Sequence, residues 1–224
     1  MAGGLGTRLR SVVNDLPKCM APVNGRPFLA YVVDHLKKEG IIKFIFSLGY
    51  KHEGIVEFVT KEYGKSGIDF SIEEEPLGTG GAIKLACKES SEKNILVVNG
   101  DTLFKVKFNQ LNSSHDKSSA DCTLSLKPMQ NFDRYGVVEL NKDNSIKDFK
   151  EKQYYENGLI NGGIYALNVP NFLKEELPDK FSFEKDYLEK FVNQRRFFGV
   201  IQDEYFIDIG IPDDYGRAGR ELSQ

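Results

Sequence analysis

Residues 94–101 read Asn-Ile-Leu-Val-Val-Asn-Gly-Asp (NILVVNGD), a short apolar run that ends at an aspartate. Residues 95–98 are aliphatic throughout, which predicts a strand that is buried on both faces. In open parallel sheets, ligands bind beyond the carboxyl ends of the strands, which is where Asn99 and Asp101 would lie. The stretch therefore favours an α/β fold with a polar site at this edge of the sheet.

The segments before this strand alternate between helix and strand patterns. Helices are predicted over 27–40, 53–63 and 80–90, and strands over 41–48 and 68–72. The first helix carries its apolar residues Leu29, Val32, Val33 and Leu36 on one face, and Gly40 suits its end. Such alternation indicates βαβ units and a mainly parallel, Rossmann-like sheet flanked by helices.

The pattern changes after residue 121. Strand-like stretches follow one another at 122–128, 135–140, 145–150 and 158–167, with a plausible hairpin turn at 141–144. Helical patches near 171–177 and 184–193 precede a last pair of strands at 197–202 and 205–210. We therefore expect a single domain over 1–224, with one lobe over 1–120 and a second, smaller sheet region in a lobe over 121–224.

The bulk composition excludes several classes of protein. The chain has 224 residues, of which 40% are hydrophobic, and a net charge of −3, so no strongly basic surface for nucleic acid is expected. No apolar run approaches the ~20 residues that cross a bilayer, and no secretion signal is evident. Cys19, Cys87 and Cys122 are odd in number and widely spaced, which argues against a disulfide framework or a zinc site. We expect a cytoplasmic protein without nucleic-acid or membrane partners.

A glycine-rich stretch, AGGLGTRL, occupies residues 2–9. It lacks the third glycine of a dinucleotide-binding fingerprint and the Gly-Lys-Ser/Thr of a P-loop. Its bare backbone N–H groups could still approach phosphate oxygens, with Arg8 supplying a planar cation. An ordinary turn with a surface arginine is the alternative, so the loop alone favours a phosphate ligand only slightly.

A second aspartate, Asp208, ends the apolar run before Gly210 and Pro212. Either Asp101 or Asp208 alone is adequately explained as a cap or turn residue. Two acids at strand ends, combined with a phosphate-type loop, indicate a shared Mg²⁺ site. A lone lysine is usually a solvated surface group. Lys18, ten residues after Arg8, is therefore a candidate site residue only because it accompanies the glycine-rich loop and the two acids.

Several motifs, taken in order, resemble the sugar-1-phosphate nucleotidylyltransferases. The matching motifs span nearly the whole chain and are GLGTRL at 4–9, Pro17-Lys18, Gly100-Asp101, Glu151-Lys152, NGGIY at 161–165 and Asp208-x-Gly210-x-Pro212. Within that family, EPLGTGG at 75–81 and FSFE at 181–184 are most similar to the D-glycero-α-D-manno-heptose 1-phosphate guanylyltransferases.

This resemblance implies the nucleotide-diphospho-sugar transferase fold and a reaction. An NTP, with GTP expected, and a sugar 1-phosphate, with the heptose expected, would give an NDP-sugar and pyrophosphate for cell-surface polysaccharides of a capsule or lipopolysaccharide. Mg²⁺ would be the cofactor. The phosphate nucleophile is already ionised at neutral pH, so catalysis would depend on alignment and on positive charge rather than on a general base.

The resemblance also implies roles for matching residues. The catalytic residues would be Arg8, Lys18, Asp101 and Asp208, and the metal ligands Asp101 and Asp208. The nucleotide would be bound in lobe 1–120, by Gly3, Gly4, Gly6, Thr7, Glu75, Gly78, Thr79, Gly80 and Asn99. The sugar phosphate would be bound in lobe 121–224 by Gly136, Glu151, Lys152 and Asn161.

Alternatives stay open at this point. A hexose 1-phosphate such as mannose or glucose 1-phosphate, used with GTP, UTP or dTTP, would keep the same chemistry. A non-catalytic nucleotide or sugar-phosphate sensor is the rival from another class. A homodimer is compatible with the sequence. Relatives place an apolar strand before the glycine loop, whereas this chain reads Met1-Ala2 there, so we expect the first strand to be missing from this sequence.

Overall fold

The structure is a computed structural model that describes Met1, residues 16–49 and residues 51–222. The glycine-rich loop with Gly3, Gly4, Gly6, Thr7 and Arg8 lies outside the described residues, and the expectation that the strand before it is missing stays a prediction. The helices of the described part are α1 (Phe28–Lys38), α2 (His52–Tyr63), α3 (Gly78–Glu89), α4 (Phe108–Lys117), α5 (Val169–Leu173), a π-helix (Phe183–Glu189) and α6 (Pro212–Glu221). The strands are β1 (Pro22–Val23), β2 (Arg26–Pro27), β3 (Phe44–Leu48), β4 (Ile68–Ile72), β5 (Asn94–Val98), β6 (Thr102–Phe104), β7 (Cys122–Phe132), β8 (Val138–Leu140), β9 (Ile146–Phe149), β10 (Tyr155–Asn168), β11 (Phe197–Ile201) and β12 (Phe206–Asp208).

These elements form two compact units that interleave along the chain. Unit 1 comprises Met1–Leu77, Asn99–Leu103 and Ile207–Gln224, and unit 2 comprises Gly78–Val98 and Phe104–Phe206. The lobes expected from the sequence divide the chain only once, near residue 120. The difference arises because β5, which precedes that boundary, pairs with β10, which follows it. Which substrate each part of the chain holds stays a prediction.

Unit 1 contains a β–α–β arrangement of the expected kind. β3 and β4 are parallel and in register, with Phe44 opposite Ile68, and α2 connects them. The apolar face of α1 is buried through Leu29 and Val33. Around these elements lies one hydrophobic cluster, made of Cys19, Leu29, Val33, Phe46, Leu48, Ile55 and Val59. The 3-10 turn Lys18–Met20 is anchored in this cluster through Cys19.

Unit 2 is built on a mixed four-stranded sheet in the order β11-β7-β10-β5. β10 runs antiparallel to both β5 and β7, whereas β7 and β11 are parallel. Aromatic side chains form much of the core of this unit, and the buried ones include Tyr165, Phe172, Phe183, Tyr187 and Phe197. The mixed α/β class expected from the sequence is confirmed.

Strand β10 contains an irregularity that matters for the site. Asn161 lies opposite Leu126 of β7, but Tyr165 lies opposite Leu124, so four steps along β10 match two steps along β7. Gly163, inside this bulge, has φ +73°, a conformation that favours glycine. The bulge therefore shortens the distance between Asn161 and Tyr165.

Within the described part of the chain, no helix combines the length and the apolar character needed to cross a bilayer.

Candidate active site

Three charged side chains meet in unit 1. The Nζ atom of Lys18 lies 2.6 Å from Oδ2 of Asp101 and 3.5 Å from Oδ1 of Asp208. All three side chains are largely but not fully buried, with exposed fractions of 19%, 33% and 21%. Both carboxylates thus face one point, although 107 positions separate them in the sequence. The structure brings together three of the four predicted catalytic residues, and the fourth, Arg8, lies outside the described residues.

Lys18 is aimed by the short turn that carries it. The N–H of Met20 donates to the carbonyl of Pro17 at 2.8 Å, and the N–H of Ala21 donates to the carbonyl of Lys18 at 3.1 Å. Cys19 is only 2% exposed and fixes the turn to the core beneath it. Burial, with a further contribution from the charge of Asp101, raises the pKa of Cys19 to about 12, so this thiol stays protonated at neutral pH.

Asp101 lies in the turn between β5 and β6. Its carbonyl accepts a hydrogen bond from the N–H of Ile209 at 3.1 Å, which ties the two acidic segments together through their backbones. The N–H of the preceding Gly100 donates to the carbonyl of Met1 at 2.7 Å. Because three separated stretches share these bonds, the position of the carboxylate is set by the backbone rather than by its own rotamer alone.

The direction of the Asp208 side chain is set by the alternation of side chains along strand β12. Ile207 and Ile209 on either side of it are fully buried, so Asp208 faces the opposite way. Its Oδ1 atom accepts a hydrogen bond from the N–H of Gly210 at 2.8 Å. This bond holds the carboxylate close to its own backbone, beside Lys18.

The donor set of this cluster fits Mg²⁺. Mg²⁺ prefers oxygen ligands and is usually held by one or two carboxylates together with substrate phosphates and water. Asp101 and Asp208 supply two such carboxylates aimed at one point. Among the described residues, no group of three or more His, Cys, Asp or Glu side chains is arranged to hold a metal ion. Water and phosphate oxygens of the substrates are the usual further ligands of a Mg²⁺ ion held by two carboxylates.

Gly210 leaves little room for a side chain at this cluster. A Cβ atom added there would lie 3.0 Å from both Lys18 Nζ and Asp208 Oδ1. We expect Gly210→Ala to displace these two groups and to lower turnover roughly 10-fold, the scale of a small misplacement at a reacting centre. The melting temperature should change little, since the neighbours are flexible ends of polar side chains. Parallel steady-state kinetics and thermal unfolding check this expectation, and full activity in a stably folded Gly210→Ala would contradict it.

The residues predicted to bind the nucleotide fall into both units. In unit 1, Glu75 is exposed in the segment after β4, and Asn99 is half-buried in the turn after β5. In unit 2, Gly78, Thr79 and Gly80 form the first turn of α3, and Gly78 has φ +72°. Their roles toward a nucleotide stay predictions.

The residues predicted to bind the sugar phosphate all lie in unit 2. Glu151 and Lys152 are exposed in the loop between β9 and β10. A Cβ atom on Gly136 would lie 2.4 Å from the carbonyl oxygen of Lys150, so only glycine allows this close approach to the loop. Asn161 is half-buried at the bulge of β10. The structure thus places Gly136 beside the Glu151 loop, while the roles of these residues toward a sugar phosphate stay predictions.

Thr79, at the start of α3, contacts a side chain that received no role from the sequence. The carboxylate of Glu184 accepts a hydrogen bond from Thr79 Oγ1 at 2.9 Å. The stretch FSFE at 181–184 was part of the family resemblance, and that was the only sequence signal for Glu184.

Comparison with known proteins adds an independent finding. A family model described as nucleotidyl transferase matches residues 1–224. The chain is 52% identical over 222 residues to a D-glycero-α-D-manno-heptose 1-phosphate guanylyltransferase of Aneurinibacillus thermoaerophilus, covering 99% of this chain and 96% of that protein. It is 44% identical over 215 residues to a protein of the same name from Campylobacter jejuni, covering 96% of this chain and 95% of that one.

A solved structure is similar over the same length. HddC from Yersinia pseudotuberculosis, determined in complex with GMP-PN, superposes with a TM-score of 0.89 at 39% identity. The match covers 99% of this chain and 97% of that structure.

Proposed function

The chain belongs to the nucleotidyl transferase family, and from this premise we propose that it transfers GMP from GTP to D-glycero-α-D-manno-heptose 1-phosphate. The products would be GDP-heptose and pyrophosphate. The near full-length similarity to two guanylyltransferases that carry this heptose phosphate in their names supports the choice of both substrates. The similarity to HddC, determined with GMP-PN, supports a guanine nucleotide.

The observation that carries the proposal is the meeting of Lys18, Asp101 and Asp208 at one point. In the proposed reaction, a phosphate oxygen of the sugar 1-phosphate attacks the α-phosphorus of GTP. The bond from that phosphorus to the oxygen bridging to the β-phosphate breaks, and pyrophosphate leaves with the electron pair. No proton needs to be removed, because the attacking oxygen is already an anion at neutral pH. The barrier is therefore mainly the repulsion between two anions.

The chain's own residues would lower this barrier by position and charge. The Lys18 ammonium would lie against the reacting phosphates, and its short turn, fixed through Cys19, would limit the conformational freedom that is lost on binding. Asp101 and Asp208 would hold Mg²⁺, which when bound supplies a Lewis acid for the phosphate oxygens. Arg8 and the glycine-rich loop would neutralise charge on the departing pyrophosphate. Gly136, Glu151, Lys152 and Asn161 would hold the sugar phosphate.

A substrate panel tests the proposal directly. The purified protein is incubated with Mg²⁺, with each of GTP, UTP, dTTP and ATP, and with heptose, mannose or glucose 1-phosphate. We expect pyrophosphate release to be fastest with GTP and the heptose phosphate. Preference for a hexose 1-phosphate would keep the chemistry and change the substrate. Absence of release from every pair, with nucleotide still bound, would favour a sensor and contradict the proposal.

Three further aspects belong to the proposal. Use of GTP and a sugar phosphate fits a protein that works in the cytoplasm, where these metabolites occur. The product would serve capsule or lipopolysaccharide synthesis. A homodimer stays a prediction that sedimentation or light scattering of the purified protein would test.

A further inference from the structure

The carboxylate of Glu73 closes a short loop of unit 1, residues 73–77, here called the Glu75 loop. Its Oε2 atom accepts the backbone N–H of Leu77, four positions later, at 2.8 Å. The backbone N–H of Glu73 donates to the carbonyl of Leu48 at 2.9 Å, which fixes the start of the loop to the end of strand β3. Both ends of the loop are therefore held, one by the sheet and the other by a side chain.

Gly49 provides the space in which this carboxylate lies. A Cβ atom added at Gly49 would lie 2.6 Å from Oε1 of Glu73 and 3.2 Å from its Cδ and Cγ atoms. Any larger residue at position 49 would therefore meet the side chain of Glu73 and push it from its place. The carboxylate is thus held between the backbone that follows β3 and the N–H of Leu77, and it is only half-exposed.

The Glu75 loop uses its three consecutive glutamates differently. Glu73 is hydrogen-bonded within the protein, whereas Glu74 and Glu75 are exposed. Pro76 restricts the loop further, because its ring fixes its own φ and disfavours the helical region for the residue before it. Closure by Glu73 and the proline together leave Glu75 few backbone conformations while its side chain stays accessible to a ligand.

We propose that Glu73 is a positioning residue that holds the Glu75 loop for recognition of the guanine base. This inference rests on the proposed function, in which Glu75 lies beside the nucleotide. Guanine offers its 2-amino group and its N1–H as donors, and a carboxylate is a suitable acceptor for both. An acceptor discriminates between bases only when it is held in place. Glu73 touches no substrate, and its loss weakens base recognition more than the chemical step.

Two substitutions remove the same contact from opposite sides. Glu73→Ala deletes the acceptor of the Leu77 N–H, and Gly49→Ala places a methyl group against Oε1 of Glu73. Glu73→Gln is the conservative variant, because its amide oxygen can still accept the Leu77 N–H.

Unit 1 also offers a matched control for each substitution. Glu57→Ala removes an exposed glutamate from α2. Gly54→Ala adds the same methyl group at a position of α2 where it would meet no neighbouring heavy atom within 4 Å. All variants are compared in thermal unfolding and in steady-state kinetics with Mg²⁺, saturating heptose phosphate and either GTP or inosine triphosphate. Inosine triphosphate lacks only the 2-amino group of GTP.

We expect the ratio of kcat/KM for GTP to kcat/KM for inosine triphosphate to fall about 10-fold in Glu73→Ala, the equivalent of one hydrogen bond to a charged group. The KM for GTP should rise, and kcat should change less. Gly49→Ala should act in the same direction, Glu73→Gln should keep most of the selectivity, and both controls should match the wild type. The double variant Glu73→Ala/Gly49→Ala should be no worse than Glu73→Ala, because both changes remove one contact.

Hydrogen–deuterium exchange of the Leu77 amide, followed by NMR, measures the contact itself without turnover. The amide should exchange about 10-fold faster in Glu73→Ala and in Gly49→Ala than in the wild type or the controls. If Glu73→Ala does not fold, Gly49→Ala and its Gly54→Ala control still decide the question.

Several results would overturn the inference. A lower melting temperature with unchanged selectivity would reduce Glu73 to a purely structural role, and equal losses in Glu73→Gln and Glu73→Ala would exclude the hydrogen bond as the cause. A wild type that uses GTP and inosine triphosphate equally well would show that no acceptor reads the amino group. In each of these cases transfer from GTP by the wild type leaves the proposed function standing, whereas an inactive wild type refutes the proposed function and this inference with it.

Discussion

Replacing Asp101 or Asp208 by asparagine is expected to lower turnover about a thousand-fold, which corresponds to several kcal/mol of lost transition-state stabilisation. Asparagine keeps the size of the side chain and removes the negative charge of a carboxylate that lies beside Lys18 Nζ. The rate of pyrophosphate release at saturating GTP and sugar phosphate, measured over a wide range of Mg²⁺ concentrations, tests this expectation. The Mg²⁺ concentration needed for half-maximal rate should also rise.

Asp213 provides a matched control for these substitutions. It is an exposed aspartate in the first turn of α6, five positions after Asp208. Asp213→Asn makes the same chemical change outside the cluster, and its activity should stay close to wild type. If Asp101→Asn or Asp208→Asn folds normally and keeps a rate within about 10-fold of wild type at saturating Mg²⁺, far less than a ligand of the reacting metal should cost, the shared metal site is wrong.

Replacing Lys18 by methionine should have two effects of opposite direction. Turnover is expected to fall about 100-fold to 1,000-fold, because the cation that faces the reacting phosphates in the proposed mechanism is lost. Metal binding in the absence of substrates should instead become about 10-fold tighter, since an ammonium 2.6 Å and 3.5 Å from the two carboxylates competes with a divalent ion for them. Methionine preserves the apolar stem of the lysine, so packing above Cys19 should be retained.

Electron paramagnetic resonance can monitor Mn²⁺ binding, and it measures the change in metal affinity without any turnover. Lys38→Met, at an exposed position near the end of α1, is the control for loss of one positive charge from unit 1. A variant of Lys18 that keeps its activity would remove the lysine from the proposed mechanism. Unchanged Mn²⁺ affinity would show that the ammonium and the metal do not share the two carboxylates.

Long periodic segments of the fold were predictable from sequence. A helix expected over 53–63 is observed as His52–Tyr63, and a strand expected over 68–72 is observed as Ile68–Ile72. In the helix, local periodicity and burial agree, with Ile55 and Val59 buried on one face. In the strand the bounds are as expected, but Ser71 is buried and Ile72 is exposed, against the alternation of its apolar residues. The expected helix at 184–193 is instead a π-helix at Phe183–Glu189, whose geometry depends on the contacts of Ser182 and Glu184.

Two helices were missed for identifiable reasons. α4 (Phe108–Lys117) buries Phe108, Leu111 and His115 at helical spacing, but its asparagine and serine residues are typical of loops. α6 (Pro212–Glu221) has proline and two aspartates in its first turn, which are good helix-start signals. Two glycines inside α6 weaken those signals in the sequence.

The sequence predicted which residues form the candidate site but not how they are arranged. Family resemblance and strand ends indicated Lys18, Asp101 and Asp208, but not that the lysine lies between the two acids. Lys18 and Asp101 are 83 positions apart, and no local pattern encodes a contact over that distance. The contact between Asn161 and Tyr165 was missed for a related reason, because it depends on a strand bulge.

The interleaving of unit 1 has a consequence for how the protein acquires activity as it is made. Asp101 belongs to an inserted stretch of five residues, and Asp208 belongs to a segment that leaves the ribosome more than a hundred residues later. Contacts so distant along the chain form late in folding. A nascent or prematurely terminated polypeptide lacking 207–222 would therefore hold half of the acidic pair, and in the proposed mechanism it would lack one metal ligand however well its earlier segments had folded.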